Sequence, residues 1–236
     1  MTTMRPIPRE VEIVARRLGA LRESVVFVGG AIVGLLLTDP GAPEVRPTDD
    51  VDVIAEIASM SDYYELEEKL RTIGFRNKIG ANEPICRWEI DGIKVDVMPQ
   101  HGAILGFSNQ WYPEAIMNAD RLSLPSGEQI RVISPPYFLA TKLDAFHDRG
   151  NGDYRSSRDI EDVIVIIDGR PELAQEIAGE IGPVKVNIAN EMSRLLADSI
   201  FIESIGAHLL PDSASQARIT LVIERIRTIA SLAPSS

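Results

Sequence analysis

The sequence of 236 residues has almost no cysteine, because Cys86 is its single thiol. An intramolecular disulfide is therefore excluded, and a zinc site built on cysteine would lack partners. The three histidines, at positions 101, 147 and 208, lie far apart and show no metal-binding spacing. So little cysteine is typical of a protein in a reducing compartment, and we expect a cytoplasmic location.

Long hydrophobic runs are also missing. The longest, Val25 to Leu37, covers about 13 residues and is interrupted by glycines, whereas a membrane helix needs roughly 20. The first residues include Arg5, Glu10 and Arg16 and contain no apolar signal core. We therefore expect no targeting segment and no membrane partner.

Positively charged residues are outnumbered by negatively charged ones. The sequence has 24 Lys and Arg and 35 Asp and Glu, which gives a net charge of −11. This balance disfavours a general nucleic-acid coat protein, which needs a positive surface to bind phosphates. It does not exclude a nucleic-acid substrate that meets one local basic patch. Part of the acidity would also be explained by a metal site.

Hydrophobic periodicity and turn residues predict different structures before and after residue 135. In the first part we expect helices at 7–20, 31–37 and 61–73 and strands at 24–28, 51–57, 85–90, 93–98, 121–124 and 129–133. In the second part we expect helices only, beginning with 136–147, 157–167 and 171–181. This segregation predicts an α+β fold. Residues 1–134 would form a domain with a mixed β-sheet flanked by helices, and residues 135–236 a helical domain.

Three aspartates give the main chemical signal. Asp50 and Asp52 are two residues apart in a predicted strand, so their side chains share one face. Two such carboxylates repel each other unless a cation lies between them, and Mg²⁺ is the usual one. Asp96 can join them if strand 93–98 lies beside the first strand. Three carboxylates can hold two metal ions roughly 3.5–4 Å apart. We therefore predict that all three bind two Mg²⁺ ions, or Mn²⁺ in their place. Taken alone, the Asp50-x-Asp52 pair would suggest only a solvated strand face, and so would Asp96.

A glycine pair precedes this cluster, where a predicted strand ends at Val28 and Gly29-Gly30 leads into a helix. Glycine lets the backbone approach a phosphate closely, and a helix N-terminus offers free N–H groups. The alternative is a tight turn without a ligand. A Rossmann site is excluded because Gly29, Gly30 and Gly34 do not have the required G-x-G-x-x-G spacing, and no P-loop sequence follows.

The order Gly29-Gly30, Asp50-x-Asp52 and then Asp96 resembles the DNA polymerase β nucleotidyltransferase superfamily. The resemblance implies a nucleotidyltransferase palm in which the glycine pair binds the triphosphate and the carboxylates bind two Mg²⁺ ions. It further implies that Asp96, the third carboxylate, accepts the proton of the attacking hydroxyl. The gap from Gly30 to Asp50 is longer than in many members, so residues 39–47 fall outside the common pattern.

The helical half carries a second motif, a Lys-Leu-x-Ala-x-x-x-Arg run that begins at Lys142, followed by Arg158-Asp159-x-x-Asp162. With the first motif, it resembles the AbiEii/AbiGii-like abortive-infection nucleotidyltransferases, the toxins of type IV toxin–antitoxin systems, over roughly residues 24–168. The resemblance implies catalytic roles for Lys142 and Asp159. Lys142 is also a candidate to bind the nucleotide, as a point charge. Arg149 or Arg158 is a candidate to bind phosphate through two guanidinium N–H groups. The alternative is an exposed ion-pair face between two packed helices, which for Arg149 and Asp162 is equally well supported.

Other residues near the predicted hairpin could contact RNA, but a structural reading is the better one. The basic set is either an acceptor patch or an ordinary solvated face, and we favour the latter for Arg71, Arg76, Lys78 and Arg87. The aromatic set could stack a base, but core or rim packing is favoured for Trp88, Trp111 and Tyr112. Cys86 is expected to be a small core residue.

These features predict an enzyme that binds a nucleoside triphosphate such as ATP and transfers its nucleoside monophosphate to an acceptor hydroxyl, with release of pyrophosphate. As a toxin-like enzyme, it would modify an RNA such as transfer RNA and would have a cognate antitoxin protein as partner. Two alternatives stay open. One is a nucleotidyltransferase that modifies a small molecule such as an antibiotic, and the other is a catalytically silent member that binds nucleotide or a partner.

Overall fold

The computed structural model describes residues 7–42, 44–77, 84–106, 109–150 and 152–234. The chain divides into two compact units. The first, the sheet unit, contains the described residues up to Leu35 and Arg46–Ser134. The second, the helical unit, contains Leu36–Val45 and the chain from Pro135 onwards. Among these described residues, strands occur only in the sheet unit and the later part of the chain is helical, which confirms the predicted α+β fold class.

Seven strands of the described chain form one mixed sheet: β1 (Val25–Val28), β2 (Asp50–Ala55), β3 (Arg76–Asn77), β4 (Arg87–Ile90), β5 (Ile93–Pro99), β6 (Asp120–Ser123) and β7 (Gln129–Val132). Their order across the sheet is β3-β4-β5-β2-β1-β7-β6. The pairs β2–β5 and β1–β7 are parallel, and the other neighbours are antiparallel. Strand β2 therefore lies between β1 and β5, with one neighbour of each orientation.

The two predicted hairpins are confirmed. Asp91 and Gly92 join β4 to β5 with φ angles of 50° and 80°, the left-handed pair that a type I′ turn requires. Because the turn has two residues, the register is fixed outward from it: Ile90 faces Ile93, and Arg87 faces Asp96. Strands β6 and β7 are joined around Gly127, whose φ is 94°.

Five α-helices begin in the described residues of the sheet unit: α1 (Arg9–Leu18), α2 (Val33–Leu36), α3 (Met60–Thr72), α4 (Gly102–Leu105) and α5 (Tyr112–Met117). Helix α1 buries one face, with spacings typical of an amphipathic helix, through Val11, Val14, Ala15 and Leu18. Helix α3 starts at a capping box, since the Ser59 hydroxyl accepts from the Asp62 N–H and the Asp62 carboxylate accepts from the Ser59 N–H. This cap lies two residues before the predicted start at Ser61.

In the helical unit, the described residues form seven further α-helices: α6 (Pro135–Arg149), α7 (Arg158–Gly169), α8 (Leu173–Gly179), α9 (Pro183–Ala197), α10 (Ser199–Ser204), α11 (Ser213–Ala217) and α12 (Ile219–Ala230). Helix α7 is capped by Ser157, whose hydroxyl accepts from the Ile160 N–H. Its buried stripe includes Ile160, Val163, Ile164 and Ile167. Among the described helices, none combines the length and the apolar composition needed to cross a membrane.

Thr38 and Asp39, which belong to the helical unit, are held at the end of α7. The N–H groups of Thr38 and Asp39 donate to the Gly169 carbonyl at 3.0 and 2.9 Å. Arg218 bonds both Asp39 and Asp168 at 2.7 Å. The long connection between Gly30 and Asp50, which departs from the superfamily pattern, thus has defined partners of its own.

Candidate active site

The predicted carboxylate cluster is assembled in the sheet unit. Along β2, residues 50 and 52 are partly exposed while Val51 and Val53 are buried, as the predicted alternation requires. Strand β5 lies parallel to β2 with Asp96 directly opposite Asp52. One oxygen from each of Asp50, Asp52 and Asp96 lies within 4.8 Å of the other two.

The chemistry of this cluster fits a divalent cation. All three donors are carboxylate oxygens, which are the hard ligands that Mg²⁺ and Mn²⁺ prefer. Their separation of at most 4.8 Å allows them to surround one ion or to bridge a close pair. Placed so close together, three negative charges repel one another, and a cation beside them offsets that repulsion. We conclude that Asp50, Asp52 and Asp96 form a candidate metal site.

Arg87 also belongs to this site, contrary to the expectation that it lies on a solvated face. Its Nε and Nη2 donate to the two oxygens of Asp96 at 2.8 and 2.7 Å, and Nη2 also donates to Asp50 at 3.3 Å. Its side chain is only 14% exposed. The cause is the hairpin register, which sets Arg87 of β4 directly across from Asp96. A guanidinium group therefore offsets negative charge on Asp50 and Asp96.

Gly29 is required by its contact with Asp52. Its φ of +74° lies in the left-handed region that disfavours other residues. A Cβ atom added there would also lie 2.7 Å from Asp52 Cγ and 2.8 Å from its Cβ, far inside van der Waals contact. Gly30 follows as the first residue of a 3₁₀ turn, Gly30–Ile32, that leads into α2. The glycine pair is thus linked structurally to a metal-ligand candidate.

Replacing Gly29 by alanine is expected to lower the free energy of unfolding by about 2–4 kcal/mol, because left-handed strain and a steric clash add together. It should also displace Asp52 and so weaken Mn²⁺ binding. Urea denaturation and Mn²⁺ titration measure the two effects.

Gly127→Ala is the matched control for that variant. Gly127 has a similar left-handed φ of +94°, but an added Cβ would have no neighbour within 4 Å. We expect it to cost about 1 kcal/mol and to leave Mn²⁺ affinity unchanged. Equal effects of the two substitutions would contradict the link between Gly29 and Asp52.

A second charged cluster lies in the helical unit, between α6 and α7. Lys142 Nζ lies 2.6 Å from Asp162 Oδ2 and 3.3 Å from Asp159 Oδ1. Arg149 donates to both oxygens of Asp159 at 2.9 Å. The structure therefore brings together four of the predicted residues of this half, whereas Arg158 is exposed at the start of α7.

Burial gives this second cluster its electrostatic character. The side chains of Lys142 and Asp162 are 12% and 2% exposed, whereas that of Arg149 is 70% exposed. Burial alone would raise the pKa of Asp159, but hydrogen bonds and charge from Arg149 and Lys142 outweigh it, so the pKa lies below its ordinary value. Asp159 is therefore ionised at neutral pH. The arrangement is an ion-pair network between packed helices, more deeply buried than the exposed face considered from the sequence.

The remaining candidates have mainly structural surroundings. Trp88 and Trp111 are buried, and the Tyr112 hydroxyl donates to Met98 Sδ at 3.2 Å. Arg71 pairs with Glu67 and Glu68, Arg76 is exposed, and Lys78 lies outside the described residues. Burial raises the pKa of the Cys86 thiol to about 12. That thiol is protonated at neutral pH, which fits the predicted core position and not a nucleophile.

Neither a model of a known protein family nor a curated protein matches this sequence. The superfamily resemblance is therefore carried by the residues and their arrangement alone. Those features establish an α+β protein with a three-aspartate cluster that could hold a metal ion.

Proposed function

We propose that this protein is a metal-dependent nucleotidyltransferase, which transfers a nucleoside monophosphate from a nucleoside triphosphate to an acceptor hydroxyl. The observation that carries the proposal is the convergence of Asp50, Asp52 and Asp96, whose oxygens lie within 4.8 Å of one another. Neighbouring strands supply these residues after a strand–Gly-Gly–helix turn, in the order that the superfamily resemblance requires.

Asp50, Asp52 and Asp96 would hold Mg²⁺, or Mn²⁺ in its place. When bound, such ions supply positive charge that stabilises the triphosphate and the departing pyrophosphate and activates the attacking oxygen. The protein contributes the placement of the ligands. Asp52 and Asp96 are set side by side by the parallel register of β2 and β5, and Gly29 leaves room for the Asp52 side chain.

We assign the triphosphate to Gly29 and Gly30. Strand β1 pairs Val28 with Asp52, so the glycine turn begins immediately beside the carboxylate cluster. Backbone N–H groups in a turn without Cβ atoms can approach phosphate oxygens closely. Phosphates bound there would lie next to the metal ligands, as transfer chemistry requires.

The transfer itself makes one bond and breaks one. The acceptor oxygen bonds to the α-phosphorus, while the bond from that phosphorus to the oxygen leading to the β-phosphate breaks and pyrophosphate leaves. The proton of the acceptor hydroxyl goes to the Asp96 carboxylate, the role that the superfamily resemblance implies. Holding the reactants in line supplies most of the remaining catalysis.

Lys142, Arg149, Arg158 and Asp159 belong to the proposal through the abortive-infection resemblance. Lys142 and Arg149 would contribute positive charge toward phosphate, and Arg158 offers an exposed guanidinium. To bind phosphate, Lys142 would have to exchange its contacts with Asp159 and Asp162 for new ones. Those contacts support a stabilising role as directly as a catalytic one.

For the acceptor we propose an RNA such as transfer RNA, with an antitoxin protein as the regulatory partner, on the strength of the same resemblance. A small-molecule acceptor such as an antibiotic hydroxyl is the alternative within this chemistry. A catalytically silent nucleotide binder is a second alternative, and it is favoured by one observation: Arg87 already offsets part of the carboxylate charge.

A pyrophosphate-release assay with each of four triphosphates, with and without transfer RNA, tests the proposal. We expect release with at least one triphosphate, loss on adding EDTA, and recovery with Mg²⁺ or Mn²⁺. Transfer of label to RNA would identify the acceptor, and transfer to an aminoglycoside panel would identify the small-molecule alternative. Nucleotide binding without release would support the silent alternative, and the absence of both would overturn the proposal.

A further inference from the structure

Arg87 forms ion pairs with two of the three carboxylates of the candidate metal site. Its guanidinium is bonded through two nitrogens to Asp96 and through one of them to Asp50. A planar guanidinium that meets a carboxylate in this forked way forms one of the stronger ion pairs in proteins. Asp50 and Asp96 are also two of the three residues whose carboxylate oxygens come within 4.8 Å of one another.

The sheet holds Arg87 in this position. Arg87 begins β4, and its partner across the antiparallel ladder is Asp96 of β5. The next residue, Trp88, is fully buried on the opposite face and anchors the strand. The contact is therefore built into the register of the hairpin and does not depend on a flexible loop.

A guanidinium and a divalent ion compete for this cluster. Both are cations that need the lone pairs of Asp50 and Asp96, and the two positive charges repel each other at short range. Without either cation, Asp50 and Asp96 would lose the positive charge that the guanidinium brings to them. A metal ion that used the lone pairs now bonded to Arg87 would therefore displace the guanidinium.

We infer that Arg87 is an internal counter-ion of the carboxylate cluster. It pairs with Asp50 and Asp96 when no metal is bound, and it leaves both carboxylates when divalent ions bind. This inference rests on the proposed metal site of the nucleotidyltransferase. Arg87 is then a positioning residue that sets the metal affinity of the site. Asp50 and Asp96 would be released from Arg87 only in the metal-loaded protein.

Arg87→Met is the test, with Mn²⁺ binding followed by electron paramagnetic resonance and by thermal unfolding. A site that is closed most of the time binds with an affinity reduced by the fraction that is open. Removing the competitor should therefore lower the Mn²⁺ dissociation constant by about tenfold or more. The metal-free variant should have a lower melting temperature than the wild type. Adding Mn²⁺ should raise the melting temperature of the variant by more than that of the wild type.

Arg131→Met is the matched control. Arg131 lies in β7 of the same sheet, is comparably shielded from solvent, and pairs with Glu56 at 3.1 Å, outside the cluster. The Arg131→Met substitution removes the same positive charge as Arg87→Met. If the change of charge alone has little effect, the Mn²⁺ affinity of this variant should stay within about twofold of the wild type. Arg87→Lys, which keeps the charge but loses the fork, should fall between wild type and Arg87→Met, and it serves if the methionine variant does not fold.

Unchanged or weaker Mn²⁺ binding in both Arg87 variants would overturn the inference, and would make Arg87 a fixed support for Asp96. That result would leave the proposed function standing, provided the wild type binds Mn²⁺ and releases pyrophosphate. Tighter Mn²⁺ binding in an inactive protein would instead support the inference while the proposed function fails. Absence of Mn²⁺ binding in the wild type and in both Arg87 variants would overturn both.

Discussion

Replacing Asp50 by asparagine is expected to lower Mg²⁺-dependent pyrophosphate release on the order of 10²–10³-fold, because one metal ligand loses its negative charge. Such a loss corresponds to about 3–4 kcal/mol of transition-state stabilisation. The asparagine side chain has nearly the same shape, so the change isolates charge from packing.

The same substitution should hardly affect the fold. The Asp50 side chain is 38% exposed, and its ion pair with Arg87 is a single contact of 3.3 Å. Arg87 keeps both of its bonds to Asp96 in the variant. We therefore expect the free energy of unfolding to change by less than about 1 kcal/mol, as for other exposed ion pairs.

Asp49→Asn provides the control for that measurement. Asp49 is exposed, precedes β2 by one residue, and lies outside the carboxylate cluster. The two variants have the same net charge and differ by one position. Full activity in Asp50→Asn, or equal loss in Asp49→Asn, would contradict the assignment of Asp50 as a metal ligand.

Much of the sheet unit could be predicted because its signals are local. Alternation along β2 puts Asp50 and Asp52 on one face, and the Asp91-Gly92 pair specifies a two-residue turn. Short elements escaped prediction, since β3, α4 and α5 have only two, four and six residues and show no full period. The parallel pairing of β1 with β7 joins segments about a hundred residues apart, which no local pattern reveals.

Arg87 is the site residue that sequence reasoning missed, although the signal was present. Once a two-residue turn at Asp91-Gly92 is accepted, the antiparallel register follows by counting outward from Ile90 and Ile93. Three pairs farther on, Arg87 faces Asp96. Its neighbours Arg71, Arg76 and Lys78 suggested a basic surface, and that grouping by sequence distance obscured the cross-strand contact.

The two charged clusters differ in the cationic partners observed for their carboxylates, and this difference separates their expected roles. In the sheet unit, the observed ion pairs join one guanidinium to two of three clustered carboxylates. In the helical unit, two carboxylates meet two cations, Lys142 and Arg149. Three carboxylate oxygens that converge can take a metal ion, whereas Asp159 and Asp162 of the helical unit already lie against cationic side chains.

Replacing Lys142 by methionine is accordingly expected to lower the free energy of unfolding by about 3–5 kcal/mol, because it leaves the charge of Asp162 buried without its ammonium partner. Arg149→Met is the contrasting variant: its side chain is 70% exposed and Asp159 would keep Lys142, so a loss of about 0–1 kcal/mol is expected. Urea denaturation measures both, with pyrophosphate release followed on the folded fraction. Lys142→Arg retains a cation and should restore part of the stability.

The outcome decides which interpretation of Lys142 holds. A stability loss confined to Lys142→Met, with activity per folded molecule preserved, would make the Lys142–Asp162 pair a structural link between α6 and α7. Normal stability with lost activity would instead support the phosphate-binding role implied by the abortive-infection resemblance, because a side chain whose main partner is a substrate contributes little to the empty fold. Loss of both would indicate that the ion pair positions a catalytic lysine, and Lys142→Arg should then recover stability more fully than activity, since its fork cannot replace a compact ammonium group.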